Sequence, residues 1–493
     1  MEKILLLIVI IPLMGAIIAP LLGQKKSQAA FMIALIAALL SWSLIVFLAG
    51  QVFSHGRISY PLGNWGASWG IELAADYLTV VLLLTVNSIG LLITIYSYSY
   101  IEKLLPEAKR RIYYYCLLCM LLAAMPAFLM AGDLFTMFVY LSLFSLAAVA
   151  LIAIGRERQA ILAGLRYLIL STTGGVLILL GIALLSYFTG TMNLNELTKR
   201  MAHITNVKPV LVAISIIIIG FGVKAALFPL HLWLPDAHGF APSPISAILS
   251  GILIELGAYG ILRCVFLLVQ LKSREIYPFI NNILCWMSVL AIIYGAVGAI
   301  LQQDLKLILA YSSVSQIGYI VLGIALSSYY GLLGGMLHII NHAVMKSALF
   351  LSAGALLYKT DKRTLKELEG VGKQMPYSAG ALALTGIAIV GIPPACGFVS
   401  EWYICMGAIQ AGRMGFAICV LGGSFLSTIY YLRIINALYF KPVNGGKDTR
   451  VAINEAPLGM LVPIWILTFA SLWLGIFNRW PLQWLEKMVA GIL

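Results

Sequence analysis

Lys224, Glu255, Lys346 and Glu401 are ionisable residues set inside long apolar runs, and His238, His338 and His342 accompany them. Lys224 stands shortly before Pro229 in GFGVKAALFPLHLWLPDAH, and His238 ends that run. Glu255 is central in ILSGILIELGAYGILR, Lys346 lies in HIINHAVMKSALFLSAG, and Glu401 follows a Gly-Pro break in GIPPACGFVSEWY. His338, His342 and Lys346 recur every fourth residue, so they share one face of a helix. An ionisable group at bilayer depth is costly and reads first as functional. Burial disfavours charge on Lys and Glu alike, which brings both towards exchange near neutrality. Imidazole already titrates there. The chemistry is proton transfer along Lys, His and Glu, linked by water and by Ser or Tyr hydroxyls. The competing reading makes the Lys and Glu residues structural ion pairs and His338 a satisfied core group. Asp76 and Asp133 begin apolar runs and read as helix N-caps. Arg263 and Arg433 read as snorkelling near span ends, and His55 and His231 as interfacial or loop residues.

Other chemistries lack their residues. There is no phosphate-binding glycine loop, nucleophile elbow or metal-spaced cluster. Cys116 and Cys119 form a CxxC, but within YYYCLLCMLLAAM, with no further ligand nearby. The chain is expected to hold no metal, no cofactor and no catalytic site of its own.

The elements that must position these groups are membrane helices. Of 493 residues, 61% are apolar and 10% charged, with mean hydropathy +0.98. Soluble domains carry about 25% charged residues, so cytosolic, secreted and disordered classes are excluded. The net charge of +13 reads as a topology signal rather than an affinity for nucleic acid. Fourteen spans are predicted, near 3–22, 30–51, 77–100, 112–131, 133–154, 162–188, 208–236, 243–271, 277–300, 305–327, 330–358, 377–410, 413–440 and 457–478. In lipid, backbone polar groups need partners within the segment, so all are helices. The first run reads as a membrane helix rather than a cleaved signal. Residues 360–373, TDKRTLKELEGVGK, read as a short surface helix. Gly174-Gly175 and Gly334-Gly335 read as close helix packing.

Two spans are interrupted, the seventh at Pro229 and Pro235 and the twelfth at Gly391, Pro393 and Pro394. Proline removes a helix hydrogen bond and clashes with the preceding turn. The breaks lie five spans apart, and an odd offset reverses orientation, as in inverted repeats. The expected divisions are 1–111 for helices 1–3, 112–271 for helices 4–8, 277–440 for helices 9–13, and 441–493 for helix 14 and the tail. Lysine and arginine concentrate in loops after odd-numbered spans, including Lys25, Lys26, Lys109, Arg110, Arg111, Arg156, Arg158, Lys359, Lys362, Arg363 and Lys366. Those loops are expected in the cytoplasm. The chain then crosses the cytoplasmic membrane many times, with both termini outside.

Four segments in order, VKAALFPLHLWLPDAHGFAPSPISAILSG, LKLILAYSSVSQIGYIVLG, INHAVMKSALFLSAG and GIPPACGFVSEW, resemble the antiporter-like subunits. These are the large proton-pumping subunits of respiratory complex I, the A and D subunits of Mrp sodium/proton antiporters, and related subunits of membrane-bound hydrogenases and sulfur reductases. The resemblance covers about residues 75–440. It implies an all-α fold of about fourteen transmembrane helices, with two inverted five-helix repeats and broken helices seven and twelve. It implies a subunit that moves H⁺, with Na⁺/H⁺ exchange open, in a multi-subunit complex that is redox-driven or of the Mrp type. By resemblance, Lys224 is the proton carrier of the first half-channel, with His238 after it. His342 and Lys346 form the central relay, and Glu401 its terminal position.

Two residues depart from that pattern. Ser142 in GDLFTMFVYLSLFSL replaces the glutamate that pairs with the helix-seven lysine, and Glu255 stands where the family often has a lysine. A buried charge without its partner costs about 3–5 kcal/mol. Glu255 is therefore expected to approach Lys224, directly or through a histidine or water. A structural subunit with a silent first half-channel and a stand-alone secondary transporter are the competing readings.

Overall fold

The structure is a computed structural model that describes residues 2–24, 27–63, 71–155, 157–204, 207–270, 276–442 and 454–490. Lys25, Lys26 and Arg156 lie outside the described residues. Among the described residues, thirteen helices are long and apolar enough to cross a membrane. The first six crossings are α1 (Lys3–Gly23), α2 (Ser27–His55), α3 (Tyr77–Leu104), α4 (Ala108–Met130), α5 (Leu134–Ile152) and α6 (Arg158–Thr189). Asp76 and Asp133 are N-caps, each accepting from a backbone N–H, of Thr79 at 2.8 Å and Thr136 at 2.7 Å. That satisfies one of the orphan donors of a helix start.

Between α2 and α3, β1 (Ile58–Leu62) pairs antiparallel with β2 (Ile71–Ala75), Ile58 opposite Ala75. A short helix, α7 (Leu194–Met201), follows α6. Neither was expected from hydropathy, because both lie in the polar connections.

The seventh crossing breaks. Its first half, α8 (Val207–Lys224), ends at Lys224, and α9 (Trp233–Phe240) resumes after irregular turns. Pro229 cannot supply the N–H that Ala225 would need to continue the helix. Pro235 falls in the first turn of α9, where a missing N–H costs little. Trp233 Nε1 donates at 2.8 Å to Val223 O, which also accepts from the Ala226 N–H, and so ties the start of α9 to the end of α8. The eighth crossing is α10 (Ser243–Ile248), one π-helical turn (Leu249–Leu253) and α11 (Ile254–Gln270). Glu255 is the second residue after the π turn, a distortion frequent at functional sites.

α12 (Ile276–Leu301), α13 (Leu305–Leu326) and α14 (Tyr329–Thr360) follow. α14 is buried from Gly331 to Leu356 and packs against α3, α10, α13 and several later helices, so it is the axis of the bundle. The twelfth crossing is a pair of half-helices, α15 (Pro376–Val390) and α16 (Cys396–Gln410). Each half has 15 residues, short of the roughly 20 that span a bilayer, so together they make one crossing and bring the count to fourteen. Gly391 ends α15 at φ +86°, a left-handed conformation that favours glycine. α17 (Met414–Ile435) and α18 (Leu458–Ile476) close the bundle. The amphipathic α19 (Arg479–Ala490) then lays Trp484 on Phe53, ring centroids 3.9 Å apart.

Residues 360–373 are not the expected surface helix. α14 runs to Thr360 and stops at Asp361, φ +54°. The next residues pair with the loop before α13, Leu305 N–H to Arg363 O at 3.0 Å and Leu365 N–H to Gln303 O at 2.9 Å. These bonds outcompete an isolated short helix, and only a 3₁₀ turn, Val371–Lys373, is helical.

Gly174, Gly334 and Gly335 pack closely as expected, whereas a Cβ at Gly175 would meet only Phe138 at 3.8 Å. At Gly334 an added Cβ would stand 2.7 Å from the Ile404 nitrogen. That contact draws α14 against α16 and sets His338 opposite Ser400. Large apolar side chains such as Ile17, Phe47, Ile169, Trp286, Phe425 and Phe469 face outward, as a lipid-exposed belt does.

Candidate functional site

Lys224 is the last residue of α8, where a cation suits the helix dipole. It is buried, and its Nζ donates to Ser145 Oγ at 2.8 Å and Ser171 Oγ at 2.5 Å. Ser142 is half-buried and donates to Phe138 O of its own helix at 2.9 Å. Two hydroxyls, not a carboxylate, receive the ammonium.

Glu255 makes no direct hydrogen bond or ion pair with Lys224 among the described residues. Its Oε1 is hydrogen-bonded to His342 Nδ1, and both side chains are closed from the surface. The reason is rotation about the helix axis. Gly257 on α11 packs against the backbone of Lys224 and Ala225, while the Glu255 side chain projects towards α14. A cavity of about 10 Å³ touches Glu255 and Tyr259, room for roughly one water. Glu255 Oε2 has no protein partner among the described residues.

α14 carries the remaining groups in line. The His338 and His342 rings stack with centroids 6.2 Å apart. His338 Nδ1 meets Ser400 Oγ at 2.8 Å, and its Nε2 meets Gln316 Oε1 at 2.7 Å. One turn beyond His342, Lys346 Nζ donates to Leu309 O at 2.9 Å and to Ser312 Oγ. Ser312 Oγ in turn lies 3.4 Å from Tyr431 OH.

Glu401 follows Ser400 on α16. Its Oε2 accepts from Ser424 Oγ at 2.5 Å, and Tyr319 OH donates one turn earlier on α17, to Val420 O at 3.2 Å. Gly391 faces this carboxylate, where a Cβ would stand 2.6 Å from Oε2. Thus the helix break, formed by Gly391, Pro393 and Pro394, also makes room for the acid. His238 is fully buried on α9, stacked on Phe350 at 4.6 Å, with no protein partner for either ring nitrogen among the described residues.

The structure thus hydrogen-bonds Glu255 to His342 and His338 to Ser400 along one buried face, with the two imidazoles stacked and His342 Nε2 without a protein partner among the described residues; Glu401 follows Ser400 in sequence but bonds to Ser424, and Lys224 lies in a separate serine cradle. His338 is a satisfied buried group. Ser145, Ser171, Ser312, Gln316, Ser400, Ser424 and Tyr319 were not singled out from the sequence. For Ser312 and Gln316 a signal existed, since AYSSVSQIGY places both on one face of an apolar helix.

The residues set aside are structural, with corrections. Arg263 does not snorkel; it donates to Asp76 Oδ2 at 3.0 Å and Tyr259 OH at 2.7 Å. Arg433 donates to the carbonyls of Ile300 and Gln302 at the C-terminal end of α12. His231 lies in the turn between α8 and α9, but buried against Phe228 and Tyr294 rather than interfacial.

Residues 131–427 match the family described as NADH:quinone oxidoreductase/Mrp antiporter, TM. The chain is 35% identical to NADH-quinone oxidoreductase subunit N of Desulforudis audaxviator, over 96% of each chain. It is 28% identical to the D subunit of the Na(+)/H(+) antiporter of Bacillus subtilis, over 100% of this chain and 98% of that one. Among solved structures, a chain of the membrane-bound sulfane sulfur reductase, an archaeal respiratory membrane complex, superposes with TM-score 0.89 at 26% identity, covering 99% and 98% of the two chains. A chain of the Mrp complex from Dietzia sp. DQ12-45-1b superposes with TM-score 0.89 at 22% identity, covering 100% and 97%, which is a likeness of fold.

Proposed function

The chain belongs to the NADH:quinone oxidoreductase/Mrp antiporter transmembrane family, and on that premise we propose that it is a proton-translocating subunit of a multi-subunit membrane complex. Its fourth to eighth and ninth to thirteenth crossings act as two inverted halves in the cytoplasmic membrane, with both termini outside. The observation that carries this reading is the buried Glu255–His342 pair, with His342 stacked on a His338 that bonds to Ser400, the residue before Glu401.

Each group suits a step. An imidazole accepts a proton at one nitrogen and releases it from the other. His342 exchanges with Glu255 at Nδ1, and His338 joins the Gln316 and Ser400 side chains at its two nitrogens. Lys346 lies one turn from His342 on the same face, and like charges at that spacing repel. Charge on Lys346 therefore opposes charge on His342, so a proton arriving at Lys346 favours release of the His342 proton to Glu255. Glu401, bonded to Ser424 beside half-exposed positions of α17, ends the relay. The relay needs no cofactor in this chain, and the driving reaction comes from partner subunits.

The test is the assembled complex in sealed vesicles. Lys346→Ala and Glu401→Ala should each cut coupled proton movement about tenfold or more while the complex still assembles. Normal proton movement in both variants would remove the relay, and selective loss of Na⁺ movement would replace H⁺ with Na⁺. The serine cradle of Lys224 favours a second reading, in which the first half is silent and structural. Under that reading Lys224→Ala leaves transport unchanged.

A further inference from the structure

A cavity of about 700 Å³ opens where the ends of α3, α5, α9 and α14 meet the start of α13, on the side whose loops are rich in lysine and arginine. Its rim holds paired charges. Lys103 meets Asp361 at 3.1 Å, Arg110 meets Glu107 at 3.1 Å, and Arg363 meets Asp304 at 2.9 Å. A site for a phosphate or lipid headgroup needs cations left open. These rim cations are each neutralised by a carboxylate, which suits a hydrated mouth.

The floor differs. Lys306 lines the cavity but is only 4% exposed, and its Nζ donates to Ala241 O at 2.5 Å. It makes no side-chain ion pair among the described residues. The nearby Asp304 carboxylate is engaged by Arg363 Nε and by the backbone N–H groups of Lys306 and Leu307. The Ala241 carbonyl that holds Lys306 lies three residues after His238 at the end of α9, and His238 stacks on Phe350, one turn from Lys346 on α14. Its ring nitrogens are buried and without protein partners among the described residues, and buried polar atoms are satisfied by protein or by water. Cavity, Lys306, His238 and Lys346 therefore form a line from the loop surface to the axis of the bundle.

We propose that this cavity is the aqueous inlet of the relay and that Lys306 is its gate, passing protons between bulk water and His238. The inference rests on the proton-translocation reading above. The Lys306 ammonium gives its proton towards His238, directly or through one water, and the neutral amine takes another from the cavity. Atoms and charge balance, since one proton leaves as one arrives. A positive charge at a narrow floor repels a metal cation but passes a proton by exchange, so this arm selects H⁺ over Na⁺.

Chemical rescue tests it in the reconstituted complex. Lys306→Cys should lower coupled proton movement about tenfold or more. Aminoethyl methanethiosulfonate, which restores an amine, should recover most of it when applied from the lysine-rich loop side, with the wild-type chain as control. The neutral methyl reagent should not. Lys306→Arg guards against a folding defect: it keeps the charge but cannot release a proton, so it should assemble yet fail to transport. Wild-type transport by Lys306→Cys or Lys306→Arg, while Lys346→Ala is inactive, would overturn the inlet alone. Loss in Lys306→Cys that the amine reagent fails to restore would also overturn it. Unimpaired transport in Lys346→Ala and Glu401→Ala would instead bring down the translocation reading itself.

Discussion

Glu255 and His342 are hydrogen-bonded to each other between α11 and α14, Oε1 to Nδ1, with neither side chain reaching the surface. The acid of the eighth crossing thus belongs to the histidine–lysine face of the central helix and not to Lys224. A carboxylate and an imidazole joined this way hold one exchangeable proton between them, which is the unit a relay requires.

Glu255→Gln keeps the size of the side chain and an acceptor for His342 but cannot exchange a proton. We expect proton-coupled transport to fall on the order of tenfold or more, with the complex still assembled. Transport at the wild-type rate would make the pair structural.

The serine cradle around Lys224 should matter in proportion to the charge it holds. A hydrogen bond to a charged group contributes about 1.5–3 kcal/mol. The double variant Ser145→Ala/Ser171→Ala should therefore lower the melting temperature of the complex and reduce transport together. A lower melting temperature with unchanged transport would assign the first half a structural role.

Gly391 combines φ +86° with a close approach to Glu401. Gly391→Ala meets the left-handed penalty, about 1–2 kcal/mol, and pushes a methyl towards the Glu401 carboxylate. Both stability and transport should drop. Gly412, also at positive φ (+68°) but with open space around it, is the control: Gly412→Ala should lower stability only. Equal effects at both sites would remove the specific link to Glu401.

Asp76 and Arg263 hold α3 to α11 away from the relay. Asp76→Asn weakens a charged hydrogen bond, at about 1.5–3 kcal/mol. Thermal unfolding of the complex should shift down while transport per assembled complex stays near wild type. A transport loss without a stability loss would bring this pair into the conducting path.

Several features could be read directly from residue order. Hydropathy averages over a span and needs no knowledge of neighbours, so the fourteen crossings were legible. Pro229, Pro393 and Pro394 act on their own backbone, so both breaks were legible as well. The i, i+4 spacing on α14 put His338, His342 and Lys346 on one face whatever surrounded them. The polar connections were less legible. Residues 360–373 carry helical spacing, yet their backbone groups find partners in the loop at Gln303 and Leu305, contacts remote in sequence.

The sequence by itself determined which residues lie at membrane depth, where the helices break, and which ionisable groups the interior must accommodate. Only the tertiary structure decided who meets whom: Glu255 with His342, Lys224 with Ser145 and Ser171, His338 with Ser400 and Gln316. The physical reason is rotational. Successive helical residues turn by about 100°, and a span apolar nearly all round gives no amphipathic stripe to fix which face turns inward. Close contacts of small residues, Gly257 on the Lys224 backbone and Gly334 on α16, set that rotation, and with it the partner each charge finds.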